Sequence, residues 1–554
     1  MKRLILFLLP LLALCACNSH TEITTDPLPT ITFEQGDRYS LKVGHILTLS
    51  PRVENGESYA WIIDGVTVSS SATYVFEATR VGTFYITLRV ENKVGVSSAD
   101  IRVDVEALQP PVISFAVADD RLLTLPFGEH TLAADVLHGE AAAYEWRLDD
   151  QIISTEPTCT LTLTSEGDHE LLLSVENEDG RTSEQLTLRV VSRLDGEIYM
   201  ADEYSIPLGR TLLLDATLWH YASPSYLWKC GAEQSTDPVF RFTPSAEGEY
   251  SIMLTVADSD GYSLTRTLKV VCTPAEGTFR RDATAQSCAT ASKVYAYRPA
   301  AGQFINEPQS GFAGEQTADA AVAYAEKRLA DGKYVSLGGW GGYVVVGFDH
   351  SVVNSGDYDF SIAGNMYEGS SEAGIVWVMQ DANGNGLPDD VWYELRGSEY
   401  DTPHYSRGYA ITYYRPAAAG MGVQWRDNRG ATGMLRRNTT HTQEYYYPAW
   451  EESSFTLYGS LLEANTEVDA TTNNQVNKAY AWGYADNQGS DSDTGTTGEA
   501  VKNYFKISSA VTADGSAANL QYIDFVKVQS AINFVAGALG EISTEVLAIE
   551  DENM

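Results

Sequence analysis

Ser58-Tyr-Ala-Trp-Ile-Ile63, followed by Gly82-Thr-Phe-Tyr-Ile-Thr-Leu-Arg-Val-Glu-Asn-Lys-Val-Gly95, decides the fold of the first half of the chain. Phe84, Ile86, Leu88 and Val90 alternate with polar or mixed residues, so they line one face of a strand. Asn92 to Gly95 then supplies the turn into a last strand. The same pattern returns twice. Tyr144-Glu-Trp146 is followed by Gly167, by His169, Leu171, Leu173 and Val175, and by the turn Asn177 to Gly180. Tyr226-Leu-Trp228 is followed by Gly248, by Tyr250, Ile252, Leu254 and Val256, and by Asp258 to Gly261. A spacing that recurs this closely implies three copies of one unit of about 80 residues. Strict alternation makes each unit a two-sheet antiparallel sandwich with its tryptophan as the buried plug. The expected domains are residues 30–108, 109–193 and 194–274, with Gln109-Pro-Pro and Thr273-Pro-Ala as stiff joints. His169 takes a position that is aromatic in the other copies and is expected in the core.

Upstream, Met1-Lys-Arg precedes the apolar run Leu4 to Ala16, the layout of an export signal too short for a stable membrane span. Leu14-Cys15-Ala16-Cys17 resembles a bacterial lipobox, which implies cleavage after residue 16, acylation of Cys17, and residues 17–29 as an extended leash. The expected location is the outer membrane, anchored by lipid and facing outward. The chain carries 37 Lys and Arg against 75 Asp and Glu, a formal net charge of −38. That surface repels nucleic acid and anionic lipid, so neither is expected as a partner. Cys159, Cys230, Cys272 and Cys288 lack paired metal spacing; export permits disulfides, but their connectivity stays open.

Downstream of Phe279 the repeat disappears. Ala318 to Ala330 is the one evident helix, with Thr317 placed to cap it and Gly332 to end it. Short strand-like runs otherwise continue to the terminus, so residues 278–550 are expected to form one larger jelly-roll-like β-sandwich with a peripheral helix. The fold class is therefore all-β: three tandem immunoglobulin-like sandwiches as a stalk, then this domain.

The most informative part of the C-terminal region runs from Val335 to Leu395. Between the strand Ala373-Gly-Ile-Val-Trp-Val-Met379 and Val391-Trp-Tyr-Glu-Leu lies Asp381-Ala-Asn-Gly-Asn-Gly-Leu-Pro-Asp-Asp390. Oxygen side chains stand at loop positions 1, 3, 5, 9 and 10 and a glycine at position 6, the spacing by which a loop wraps calcium. Asp381, Asn383, Asn385, Asp389 and Asp390, with the Leu387 carbonyl, are the expected ligands. Trp392 replaces the bidentate Glu of an EF-hand, so the alternative is a hairpin turn rich in Asn and Gly without metal.

Aromatics are too dense here to be all core. Trp377 and Trp392, flanked by strand residues, are assigned to the core. Trp340 between glycine pairs, Tyr445, Tyr446, Tyr447 and Trp450 around Pro448, and Trp482 with Tyr484 lie in loop-like sequence. Exposed loop aromatics grip flat ligands and sugar rings. The three loops are expected to converge on one cleft, with Arg426, Gln443 and Asn487 as hydrogen-bonding partners. No G-x-S-x-G, H-E-x-x-H or Walker loop occurs, so an enzyme is not expected.

The three repeats resemble the PKD family of immunoglobulin-like sandwiches in Y-x-W, in the G-x-Y-x-hydrophobic run and in the N-x-x-G turn. That resemblance implies spacing or adhesion roles. Val335-Ser-Leu-Gly-Gly-Trp-Gly-Gly-Tyr, Gly364-Asn, the Asp381 loop, Gly483-Tyr-Ala-Asp-Asn, Ile523-Asp-Phe-Val-Lys-Val and Leu539-Gly-Glu-Ile-Ser-Thr-Glu-Val resemble Bacteroidetes cell-surface lipoproteins that combine PKD-like repeats with this domain. The BtuH-type cobalamin-binding lipoproteins are of this kind, which implies vitamin B12 as ligand and a TonB-dependent transporter as partner. The D-x-H-x-x-G pattern of intracellular B12 enzymes is missing, so the corrin would be held by its amide fringe and flat faces. A glycan-binding protein of a polysaccharide uptake system would use the same aromatics, and an adhesin or structural surface protein would need no small ligand.

Overall fold

The computed structural model describes residues 26–291, 293–308, 313–470, 474–495 and 500–554, so the export signal and Cys17 lie outside the described residues. The chain divides into two compact units, one ending at Gln109 and the other running from Pro110 to Met554.

The first unit is one sandwich. Its five-stranded sheet runs in the order Arg38–Lys42, Val96–Glu106, Gly82–Glu91, Ser58–Ile63 and Val66–Ser69. Arg38–Lys42 pairs with Val96–Glu106 in parallel, and the other neighbours are antiparallel. The pairs Ile46–Leu49 with Tyr74–Glu77 and Thr30–Thr32 with Arg52–Glu54 form the facing layer. The alternation in the sequence does what it predicts: Ile86, Leu88 and Val90 are fully buried against Trp61.

Within the second unit this topology occurs twice more, strand for strand, in residues 112–191 and 197–273. Trp61, Trp146 and Trp228 are each wholly buried, and each indole N–H donates to a carbonyl nine or ten residues on, at Ser71, Glu156 and Asp237. Each plug therefore buries its large apolar area without orphaning its one donor. The turns are closed by Asn92, Asn177 and Asp258, whose Oδ1 atoms accept from backbone N–H groups two to four residues ahead. His169 departs from the expectation. It is half-buried at the sheet margin, with Nδ1 2.7 Å from Asp149 Oδ2, because the hydrophobic stripe begins one position further in at Leu171. Cys159, Cys230, Cys272 and Cys288 are all free thiols.

The C-terminal domain is a β-sandwich with an added sheet. A six-stranded sheet (Lys293–Arg298, Tyr343–Val353, Tyr522–Ser530, Gly374–Met379, Tyr393–Leu395, Ala510–Val511) faces a three-stranded one (Val501–Phe505, Phe360–Gly364, Ala548–Asp551). Val344, Val346, Val376, Val378, Val526 and Val528 pack with Phe360, Ile362, Phe505 and Ile549 between them. The helix Ala318–Ala330 lies on this core through Ala321 and Ala325. It is capped by the Thr317 side chain, which accepts from Ala320 N, and Gly332 follows it at φ +65°. A four-stranded sheet (Thr432–Leu435, Val423–Asp427, Tyr405–Tyr414, Ser454–Leu462) carries a second core around Trp340.

The second and third sandwiches are docked on the C-terminal domain, not strung out below it as a stalk. Gln424 Nε2 donates to Ser114 O at 2.8 Å, Gly422 N donates to Asp135 Oδ2 at 3.1 Å, Arg210 donates to Asn519 O at 3.1 Å, and Arg241 pairs with Asp514. Val391, just beyond the Asp381 loop, packs into the core of the third sandwich.

Candidate functional site

The aromatics assigned to an open cleft mostly serve as core. Trp340 is 1 % exposed, donates from Nε1 to Ser460 O, and packs edge-on to Tyr409. Tyr446 and Tyr447 join it in the same cluster, their hydroxyls donating to His441 O and Glu452 O. Tyr484 is buried in a different cluster, and its hydroxyl accepts from Glu399 N. Asn487 is wholly buried and clamps the backbone of Tyr480 through both amide atoms. Gln443 donates to the carbonyls of Gln303 and Ile305. Tyr445 is half-buried, as is Trp450, which packs on the main core. Trp482 alone stands well out, 41 % exposed over a separate groove of about 230 Å³ with Arg396, Tyr358 and Lys506. The glycines around Trp340 signal close packing: a Cβ on Gly342 would sit 1.8 Å from Leu337 O.

A different aromatic surface forms where the third sandwich meets the C-terminal domain. The paired strands Glu197–Tyr199 and Thr217–Trp219 present Tyr199 and Trp219, and Ser454–Leu462 presents Tyr458. The Tyr199 and Tyr458 rings stack at 3.8 Å between centroids, and Trp219 lies parallel to both at 6.0 and 5.6 Å. This wall separates two cavities. One, of about 310 Å³, is lined by Trp377, Trp392, Tyr393, Tyr409 and Lys527; the other, of about 470 Å³, by Arg426, Tyr414 and Asn428. Lys527 Nζ lies 4.5 Å from the Trp377 ring centroid and 5.4 Å from that of Trp392. Burial pulls its pKa down to about 8 against the opposing pull of Glu394. Glu394 is itself committed, accepting from the hydroxyls of Tyr405 and Ser460. Burial likewise lowers the pKa of Arg426.

Trp377 and Trp392 read as core from their strand neighbours, and Trp377 does pack on a buried cluster while also lining the cavity; nothing in the local pattern singles out Tyr199 and Trp219. A signal was there, in the departure of the third repeat from its siblings. The pairing register sets Tyr199 level with Thr32 and Ser114, and Trp219 level with Glu54 and Leu137. Two rings at positions where neither sibling carries one mark a surface with its own task.

The Asp381 loop draws its side chains together. Asp381 accepts from Asn385 N and Gly386 N, Asn383 Oδ1 accepts from Asn385 N, and Asn385 Oδ1 accepts from Leu387 N. The side-chain amides of Asn383 and Asn385 donate to the two oxygens of Asp389 at 3.1 and 2.9 Å. Gly384 and Gly386 take φ of +72° and +73°, as the tight winding demands. Asp390 is turned back, with Oδ2 accepting from Ala382 N and Oδ1 buried without a partner, and burial pushes its carboxyl up to about 7. The loop thus gathers the side-chain oxygens of Asp381, Asn383, Asn385 and Asp389 within one tight winding, a hard-oxygen donor set of the type that suits calcium.

A cluster the sequence did not reveal lies in the C-terminal core. Among the described residues, Glu372, Asp486 and Glu545 are the one group of three such side chains with ligand atoms within 4.8 Å of one another. Asp486 accepts from Asn365 N and Glu545 N, and Ser543 donates to Glu545. Desolvation, then mutual repulsion, holds Glu372 and Asp486 far above the carboxylate range. Burial sets Glu545 at about 7 and nearby Glu541 at about 8.

These features define an all-β protein of tandem immunoglobulin-like domains followed by a further β-sandwich. The PKD-like domain family matches residues 28–92 and 110–177, the first two sandwiches. The chain is similar to the I-band fragment I67–I69 of titin, at 14 % identity over 44 % of this chain and 98 % of that one with a TM-score of 0.22. It is also similar to the three N-terminal domains of the bacteriophage RB49 outer capsid protein Hoc, at 12 % identity over 45 % and 100 % with a TM-score of 0.22. Immunoglobulin domains 1–5 of Sidekick-1 match at 14 % identity over 44 % and 58 %, with a TM-score of 0.24. No curated protein matches the chain.

Proposed function

We propose that this is a lipid-anchored surface protein that captures a small ring-bearing ligand in the aromatic cleft between its third sandwich and its C-terminal domain. The observation that carries the reading is the parallel Tyr199, Trp219 and Tyr458 wall beside open cavities. Aromatic faces grip sugar and other flat rings at small entropic cost. The immunoglobulin-like repeat fold is typically non-catalytic, so binding and not chemistry is the role proposed.

A cavity of about 310 Å³ stands at the small end of organic-ligand sites, with room for one or two sugar rings. Size therefore favours the end of a glycan over cobalamin, which could enter only by part of its corrin fringe. Hand-over to a TonB-dependent transporter belongs to the same proposal, as does calcium at the Asp381 loop. That loop runs directly into Val391, Trp392 and Tyr393, so an ion there would brace the cleft.

Calorimetric titration of the full mature chain with neutral oligosaccharides and with cyanocobalamin tests the reading. Binding that falls at least thirtyfold in Tyr458→Ala, with an unchanged melting temperature, is the expected result. Binding of either ligand class that is indifferent to Tyr458→Ala and Trp219→Ala would place the site elsewhere.

A further inference from the structure

Trp482 is the one tryptophan among the described residues that stands exposed, and its ring joins no core cluster there and stacks on no other ring. The loop that carries it is nonetheless held fast. Ser398 N donates to Trp482 O at 3.0 Å, and Gly483 N donates to Asp491 Oδ2 at 2.6 Å. Gly483 takes φ of +89°, and a Cβ on it would meet Gly397 Cα at 2.6 Å. Backbone so fixed presents the ring to a ligand without a further ordering cost. The groove of about 230 Å³ beside it is also lined by Tyr358, itself 41 % exposed, and by Tyr504, their ring centroids 5.8 Å apart. Asp491 lines the same groove and is 7 % exposed; Gly483 occupies its Oδ2, while its Oδ1 is buried without a hydrogen-bond partner. Burial raises the pKa of that carboxyl. An acceptor left unanswered in a folded chain calls for a donor from outside. The two cations of the groove, by contrast, are matched: Arg396 donates to Asp401 and to Gly515 O, and Lys506 donates to Asp357.

We propose that this groove is a second ligand site, independent of the interdomain cleft, and that it takes a neutral sugar ring whose C–H face lies on the Trp482 indole while one hydroxyl group donates to Asp491 Oδ1. The ligand class follows by comparing what each kind of ring would leave unmet. A flat apolar ring would cover the indole and leave the Asp491 oxygen without a donor. An anionic ring would bring its charge to Asp491, to cations already matched and to a chain of net charge −38. A neutral hydroxylated ring answers both the indole and the acceptor. The volume is below that of sites for larger organic ligands, so about one ring enters. Groove and cleft share a pair of strands: Glu394 and Val511 line the cleft, Leu395 and Ser509 the groove. Every residue of the groove comes from the C-terminal domain, so this site does not depend on the docking of the third sandwich.

Calorimetric titration of the full mature chain with neutral tetrasaccharides of glucose, galactose, mannose or N-acetylglucosamine tests this. Tyr458→Ala, which disables the cleft, should leave binding of at least one of them in place. In that background Trp482→Ala should weaken the remaining binding tenfold or more at an unchanged melting temperature. Tyr358→Ala removes the other exposed ring of the groove and should weaken it in the same direction, so it decides the matter should Trp482→Ala fail to fold. Still in the Tyr458→Ala background, a galacturonate tetrasaccharide should bind more weakly than its methyl ester; equal or tighter binding of the free acid overturns the neutral ring. Binding abolished by Tyr458→Ala and unmoved by Trp482→Ala overturns the groove and leaves the cleft standing. Binding abolished by Trp482→Ala and unmoved by Tyr458→Ala does the reverse. Binding of no member overturns both.

Discussion

Glu541→Gln is the perturbation that tests the buried acidic cluster most directly. Glu541 is 5 % exposed, its Oε1 accepts from Gln303 N, and burial raises its pKa from an ordinary 4.5 to about 8. A carboxyl whose folded pKa lies above its unfolded one favours the fold while protonated. Its contribution is whole below pH 4.5 and is lost as pH rises through 8. Between pH 5 and pH 8.5 that loss comes to about 4 kcal/mol, a shift of some three units taken at about 1.36 kcal/mol each. Gln keeps the shape and one acceptor without titrating. Calorimetric melts of the two proteins in chelator, from pH 5 to pH 8.5, should show the parent falling more steeply and the variant becoming the more stable of the two above pH 7. Taking the difference between the proteins cancels the parallel titration of distant groups, though Glu545 is near enough to couple. A difference constant to within 1 kcal/mol across that range would refute the assignment of Glu541 as a neutral acid.

Chelation of calcium should lower the melting temperature of the full chain, and Asp381→Ala should abolish the difference; a site saturated a hundredfold above its Kd contributes about 2.7 kcal/mol. An unchanged melt would leave the loop a metal-free hairpin. Trp340→Ala should cost about 3–5 kcal/mol of stability in a denaturant melt, the usual toll for a buried Trp, and an unaltered melt would return Trp340 to the list of ligand contacts. Trp482→Ala should move stability by less than about 0.5 kcal/mol, as expected for a side chain 41 % exposed.

What the sequence made legible follows from where its constraints are local. Period-two alternation, a repeated plug and an Asx turn each act within a dozen residues, so the plug strand, the alternating strand and the turn after it were legible in all three sandwiches, whereas the parallel edge pairing was not, and the Thr317 cap and Gly332 bounded the helix. The cleft is assembled from Tyr199, Trp219, Tyr458 and Lys527, more than 300 residues apart along the chain at the extremes, and no local rule brings them together. The error over Trp340 has the same origin. A Gly-flanked aromatic reads as a mobile loop when only chain neighbours are visible, yet here the glycines admit Leu337 O and the Ala300 backbone against the loop, which turns the ring inward. Docking of the third sandwich explains both outcomes together. Val391 packs against its core, Arg210 and Arg241 tie it to residues 514–519, and along the strip left between these anchors Trp392 and Trp377, the latter also packed on a buried cluster, line a cavity. A chain whose third repeat differs from its siblings at Tyr199 and Trp219 thus carries the mark of its cleft in the repeat, while the cleft's other wall is visible only once the domains meet.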